Sequence, residues 1–190
     1  MRAVILGCGT SGGVPRIGND WGSCDPNGPR NRRRRASIAV EDGDTRLLID
    51  TSPDLRAQAI DCGIDRIDGV IFTHDHADHT HGIDDLRFFA LRQRSEIDIY
   101  GDRGTLASIS HRFGYAFKNG GPMYPPIAVQ HEITSPLSIG SIKVASFEQD
   151  HASMTTLGLR FGALAYSTDV VNLPEKAFEA LEGVSVWIVD

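Results

Sequence analysis

The sequence predicts an α/β sandwich in which helices cover sheets. Three observations carry this. Short β-branched apolar runs recur along the whole chain, stretches of helical spacing fall between several of them, and glycine or proline turns separate the two. The chain has 190 residues, within the roughly 100–200 of a single domain. Hydrophobic residues make up 41% and charged residues 23%, with a net charge of -6. No run approaches the ~18 apolar residues that a membrane helix needs. Disordered, collagen-like, coiled-coil and membrane-spanning classes are excluded. The acidic balance argues against a nucleic-acid coat or a membrane binder. With no fixed-period repeat and no linker, residues 1–190 read as one domain.

The elements follow in order. Arg2 to Leu6 is a strand, and Gly7 to Arg35 a long loop rich in glycine and arginine. Residues 36–40 and 45–49 form a hairpin closed at Glu41-Asp42-Gly43-Asp44, where Asp-Gly is a strong turn signal. Pro53 to Ile60 starts a helix, with Ser52 as N-cap. Gly69 to Phe72 is a buried strand. Leu86, Phe89, Ala90 and Gln93 keep helical spacing, so Ile83 to Arg92 is a helix. Ile97 to Tyr100 is a strand and Thr105 to Phe113 a helix. A second loop spans 114–126. Strands follow at 127–129, 137–139, 142–147, 156–161 and 163–166, then a helix at 174–181 and a strand at 184–189.

Gly7-Cys8-Gly9-Thr10-Ser11-Gly12 has the dinucleotide-binding spacing G-x-G-x-x-G after a strand. That function needs a following helix to bind pyrophosphate. Here Gly13-Val14-Pro15 follows, so the expectation is a tight backbone turn instead. Three cysteines, Cys8, Cys24 and Cys62, make no disulfide framework, which favours a reducing, cytoplasmic setting. Cys24 lacks the second cysteine of a zinc knuckle.

Thr73-His74-Asp75-His76-Ala77-Asp78-His79 carries the chemistry. It directly follows an apolar strand. In an extended loop His74 and His76 project to the same side and can bind one metal. Asp78 and His79 fall where the chain must turn and can face a second. Imidazole and carboxylate suit zinc, manganese and iron alike. Three histidines at the mouth of a buried strand would cost desolvation for no return if they had no ligand.

The motif resembles the signature of the metallo-β-lactamase superfamily. The glycine-rich start, the run Asn31 to Ser37, the segment His79 to Arg87 and Tyr166-Ser167-Thr168-Asp169 are similar to its phosphodiesterase branch. That branch includes the phosphoribosyl cyclic phosphodiesterase of the carbon–phosphorus lyase pathway. The resemblance implies a four-layer αββα sandwich and two divalent metal ions. His74, His76 and His151 would hold the first ion, Asp78 and His79 the second, and Asp169 would bridge them. The two metals would activate a hydroxide toward phosphorus, with Asp78 also orienting it. The implied substrate is a small cyclic or nucleotide-like phosphodiester, with a homodimer allowed. Asp75 is expected to orient the metal-ligating histidines. His81, Tyr115, Phe117 and Tyr124 are candidates for substrate contact or simple packing. Asp84 and Asp85 suit a helix start. Arg30, Arg32, Arg33, Arg34 and Arg35 can attract a phosphate or form a solvated strand entrance.

Other readings of the same motif are a tRNA 3′-end nuclease, a glyoxalase-type thioester hydrolase and a metal-binding module without turnover. The family pattern places a further histidine ligand after the bridging aspartate, and no histidine follows Asp169. The expectation is therefore a domain lacking its C-terminal part, with a weaker second metal held by Asp78, His79 and Asp169.

Overall fold

The chain starts as an antiparallel meander. β1 (Arg2–Gly7) pairs with β2 (Ser37–Asp42), which turns onto β3 (Thr45–Ile49). Gly43 has φ +58°, the left-handed conformation that this tight turn requires. Three parallel strands then add beside β3: β4 (Gly69–Ile71), β5 (Ile97–Gly101) and β6 (Ala128–Glu132). Parallel neighbours need crossover connections. These are α1 (Leu55–Cys62), the short α2 (Ala77–Thr80) with α3 (Leu86–Gln93), and α4 (Arg103–Arg112). The second sheet is an antiparallel run of β7 (Leu137–Ile139), β8 (Ile142–His151), β9 (Met154–Phe161) and β10 (Leu164–Ser167). After α5 (Glu175–Leu181), β11 (Val186–Val189) adds parallel to β10. The structure is a computed structural model and describes residues 1–121 and 124–190.

Side chains alternate across the first sheet with period two. Ala39, Leu48, Val70 and Ile99 face α1, α3 and α4, meeting Leu55, Leu86, Phe89 and Ile109. Ile38, Val40, Leu47, Ile49 and Ile71 face the second sheet, meeting Ile142, Leu159 and Phe161. Full burial of each such side chain stabilises by about 1.5–3 kcal/mol. On the far side α5 packs on β8 with Ala177 buried. The expected αββα layering is present.

Several expected boundaries move. α1 starts at Leu55, because the Asp54 carboxylate is taken by Arg35 and Ser52 caps a turn through the Asp54 N–H. The expected helix from Ile83 is a 3-10 turn up to Asp85 and α-helical only from Leu86. α4 begins earlier than expected, since the Asp102 carboxylate accepts from the Gly104 and Thr105 N–H groups. β8 runs on to His151, so that histidine stands on a strand end.

The glycine motif is a packing device. Gly9 N–H donates to Arg34 O at 2.7 Å, and Val14 and Arg33 exchange two backbone hydrogen bonds at 2.9 Å. A β-carbon on Gly7 would lie 2.0 Å from Arg35 O. The glycines admit the arginine segment alongside β1, and no helix follows. Gly7→Ala is expected to lower stability by about 1–3 kcal/mol, the usual cost of overpacking. Denaturant unfolding measures it, and an unchanged midpoint would contradict the close approach.

Candidate metal centre

Chain direction gathers the site. β3 and β4 are parallel, so Asp50 and Thr73-His74 emerge at one end of the first sheet. The ends of β8 and β10 bring His151 and Asp169 to the same place. Leu157 N–H donates to Thr73 O at 3.0 Å and ties the two sheets together there. α2 starts immediately after His76 and turns Asp78 and His79 back toward the cluster.

Two groups of ligand atoms result, and Asp169 belongs to both. His74, His76, His151 and Asp169 have ligand atoms within 4.8 Å of one another, as do Asp78, His79 and Asp169. Asp169 Oδ2 lies 3.3 Å from His74 Nε2 and 2.9 Å from His79 Nε2. His79 Nε2 is also 3.4 Å from Asp78 Oδ2. Buried His74 Nε2 and His151 Nδ1 have no hydrogen-bond partner. An orphaned buried nitrogen is costly, and a cation held by this group would satisfy His74 Nε2. The donor set of imidazoles and carboxylates fits a divalent metal.

Asp50 organises this arrangement, and sequence reasoning missed it. It is fully buried and adopts φ +63°, an uncommon conformation for a non-glycine residue. One carboxylate oxygen accepts from Thr73 N–H at 2.8 Å. The other accepts from the Thr73 hydroxyl and from His79 Nδ1, both at 2.8 Å. The Thr73 hydroxyl has spent its single proton on Asp50. It must accept from His74 Nδ1 at 2.9 Å. Both imidazoles are thereby set with Nδ1 protonated and Nε2 turned to the cluster. The expectation that Asp75 does this is corrected. Asp75 instead accepts from Ser108 and pairs with Arg112 on α4, at 2.5 Å and 2.8 Å. The visible signal for Asp50 was a strand ending in Ile49-Asp50-Thr51, where a buried strand opens onto a loop.

The electrostatics match a cation site. Burial lowers the His79 pKa, but Asp50, Asp169 and Asp78 outweigh it and push it up to about 12. A proton on His79 thus occupies the position that a metal would take. Burial would raise the Asp169 pKa, yet His74 and His79 hold its carboxyl well below the usual range. Hydrogen bonding to His79 lowers Asp78. Burial, with His74 and His151 alongside, lowers His76, so it enters neutral and ready to ligate.

The remaining candidates separate. His81 is exposed, stacks edge-on against Phe113 at 5.1 Å and belongs to neither ligand group. Phe117 packs against the first core, and Tyr115 and Tyr124 are exposed. Asp84 pairs with Arg87 at 3.0 Å, and burial raises the Asp85 pKa. Neither acid caps α3 with its side chain. The three cysteines are free. Among the described residues no helix is long and apolar enough to cross a membrane.

Two helix-faced sheets with a histidine–aspartate cluster on their shared edge define a class of metal-binding sandwich. The chain belongs to the beta-lactamase superfamily, whose domain model matches residues 45–190, and within it to the PhnP branch. A solved diphosphatase of the PhnP family is 33% identical, with a TM-score of 0.88 over 97% of this chain and 71% of that one. The octanoyltransferase of Porphyromonas gingivalis is 32% identical over 195 residues, covering 100% of this chain and 39% of its own length. The Zn(2+)-bound PqqB of Methylobacterium extorquens shares the fold at a TM-score of 0.76 and 22% identity, over 100% of this chain and 72% of that one. The chain thus spans about two-fifths of the Porphyromonas relative.

Two outcomes are expected. Asp50→Asn weakens divalent-metal affinity by roughly 10–100-fold, the range for residues that orient ligands. Asp75→Asn leaves it near wild type. Competition with a chelating dye measures both, and equal effects would overturn the assignment. The second concerns pH. The folded pKa of His79 lies above its unfolded value, so its contribution to stability is full below about 6.5. That contribution is lost as pH rises toward about 12. The melting temperature of metal-free protein should fall between pH 7 and 10, while added metal, which displaces the proton, should flatten the decline.

Proposed function

We propose that the protein is a metal-dependent phosphodiesterase acting on a small cyclic or nucleotide-like phosphodiester. One observation carries the reading: Asp169 Oδ2 lies within reach of His74 Nε2 and His79 Nε2 at once, the placement of a carboxylate shared by two ions. His74, His76, His151 and Asp169 would hold one divalent ion; Asp78, His79 and Asp169 would hold the other. Zinc and manganese suit these donors, with iron compatible. When bound, such a pair supplies Lewis acidity and lowers the pKa of a coordinated water.

The chain's own residues do the rest. Asp50 and Thr73 lock the His74 and His79 rings, so little reorganisation is needed at the moment of reaction. Asp78 stays ionised beside His79 and orients the attacking water. Hydrolysis forms a phosphorus–oxygen bond to that water and breaks the one to the leaving alcohol. The PhnP-family diphosphatase, at 33% identity over nearly the whole chain, supports phosphorus as the reacting centre. Among the described residues the second group offers three ligands, against four in the first.

The test is turnover by metal-loaded protein on an aryl phosphodiester, a 2′,3′-cyclic nucleotide, a tRNA 3′ trailer and a glutathione thioester. Phosphodiester hydrolysis is expected. His76→Ala and Asp169→Ala should each lower kcat/KM by more than the roughly 100-fold of an orienting residue. Thioester turnover without phosphodiester turnover would sink the reading.

A further inference from the structure

His81 is the one histidine of residues 74–81 that belongs to neither ligand group. Its place is nonetheless fixed against them. α2 turns Asp78 and His79 toward the cluster, and His81 N–H donates to Ala77 O at 3.0 Å, closing the same helical turn. Residues three apart on a helix are surface neighbours, with β-carbons about 5–6 Å apart. Asp78 and His81 stand in that relation. Helical Cα–Cβ bonds tilt toward the N-terminus, so the His81 side chain leans back over the turn that carries Asp78. Asp78 is half-buried in the second ligand group, whereas His81 is exposed. His81 therefore stands on the solvent rim of the metal centre.

The ring is held in one orientation. The Thr80 hydroxyl donates its single proton to His76 O at 2.8 Å. It can only accept at its 3.2 Å contact with His81 Nδ1. In the neutral ring Nδ1 thus carries the proton and Nε2 presents a lone pair. Among the described residues that is the only side-chain hydrogen bond His81 makes. Phe113 braces the ring edge-on, at 5.1 Å between centroids and 88° between planes. Phe113 is itself anchored at the end of α4, where its N–H donates to Ile109 O at 2.8 Å. An acceptor braced in this way loses little entropy on binding. What it recognises is a donor. The oxygens of an ionised phosphodiester are acceptors and offer it nothing. The donors of a nucleotide closest to its phosphate are the sugar hydroxyls, a few bonds from phosphorus.

We propose that His81 Nε2 accepts a hydrogen bond from a free sugar hydroxyl of the substrate and so determines specificity. The substrate class is then a phosphodiester of ribose with at least one free ring hydroxyl, in preference to a deoxy sugar. This rests on the phosphodiesterase reading.

The test uses metal-loaded protein and two esters, adenosine 5′-(4-nitrophenyl phosphate) and its 2′,3′-dideoxy counterpart. Release of 4-nitrophenolate reports turnover of both. The ribose ester should have the higher kcat/KM by about fivefold, the size of one neutral hydrogen bond. In His81→Phe, which keeps an aromatic ring against Phe113 but has no acceptor, the ratio should fall to about one. His81→Gln restores an acceptor and should recover part of the preference. The ratio is taken within each variant, so a general loss of folding or of metal does not move it. Equal rates on the two esters in wild type, or a preference that survives His81→Phe, overturn the contact and leave the phosphodiesterase reading standing. If neither ester is turned over, the His81 imidazole ¹⁵N signals decide the contact, with adenosine 5′-phosphate against its 2′,3′-dideoxy counterpart. A shift of the Nε2 signal with adenosine 5′-phosphate alone supports it, and equal responses overturn it. If aryl and cyclic phosphodiesters are inert as well, it is the phosphodiesterase reading that fails.

Discussion

The buried carboxylate of Asp50 is the constraint on which the site depends. A fully buried acid is tolerated only when it is paired and hydrogen-bonded. Here both oxygens are used, by the backbone and hydroxyl of Thr73 and by His79 Nδ1. Each of these bonds also aims something else. Thr73 passes the orientation on to His74, and His79 is held toward Asp78 and Asp169. Removing Asp50 would loosen two ligand positions at once, His74 through Thr73 and His79 directly, because they share one acceptor.

Backbone conformation reinforces this. Asp50 and Asp169 both adopt positive φ, at +63° and +55°. Such conformations in non-glycine residues cost free energy and persist where the surroundings over-determine them. The surroundings are on hand. Asp50 is pinned between the ends of β3 and β4, and Asp169 N–H donates to Asp190 Oδ1 at 2.7 Å. The metal centre therefore stands on rigid strand ends and two strained turns. The glycine loop admits the arginine segment against β1. Opposite charges are thus sorted in space. Carboxylates and histidines meet at the sheet junction, and arginines line a separate cavity beside the glycine loop.

Much of this was legible in the residue order. The apolar runs Ile38 to Val40 and Leu47 to Ile49, closed at Asp42-Gly43, announced a hairpin. His74, His76, Asp78 and His79 are close in sequence, so their spacing alone revealed a ligand set. His151 and Asp169 were readable through resemblance to a family, and the fold brings both into the cluster. The orienting role was expected of Asp75, and Asp50 was missed. Asp75 sits inside the motif but faces Ser108 and Arg112, whereas Asp50 lies 23 residues from Thr73 in sequence and contacts it directly. A contact made across a sheet leaves no local pattern. The glycine motif misleads for the same reason, since the backbone that crowds Gly7 belongs to Arg35.

The sequence by itself determined the fold class, the superfamily and the ligand types, because periodicity and close-spaced donors are local properties. Tertiary structure alone decided which acid orients the histidines and that Asp169 is shared by two ligand groups. Those are properties of strand ends that converge from distant parts of the chain, and hydrogen bonding is settled only by distance and direction in space.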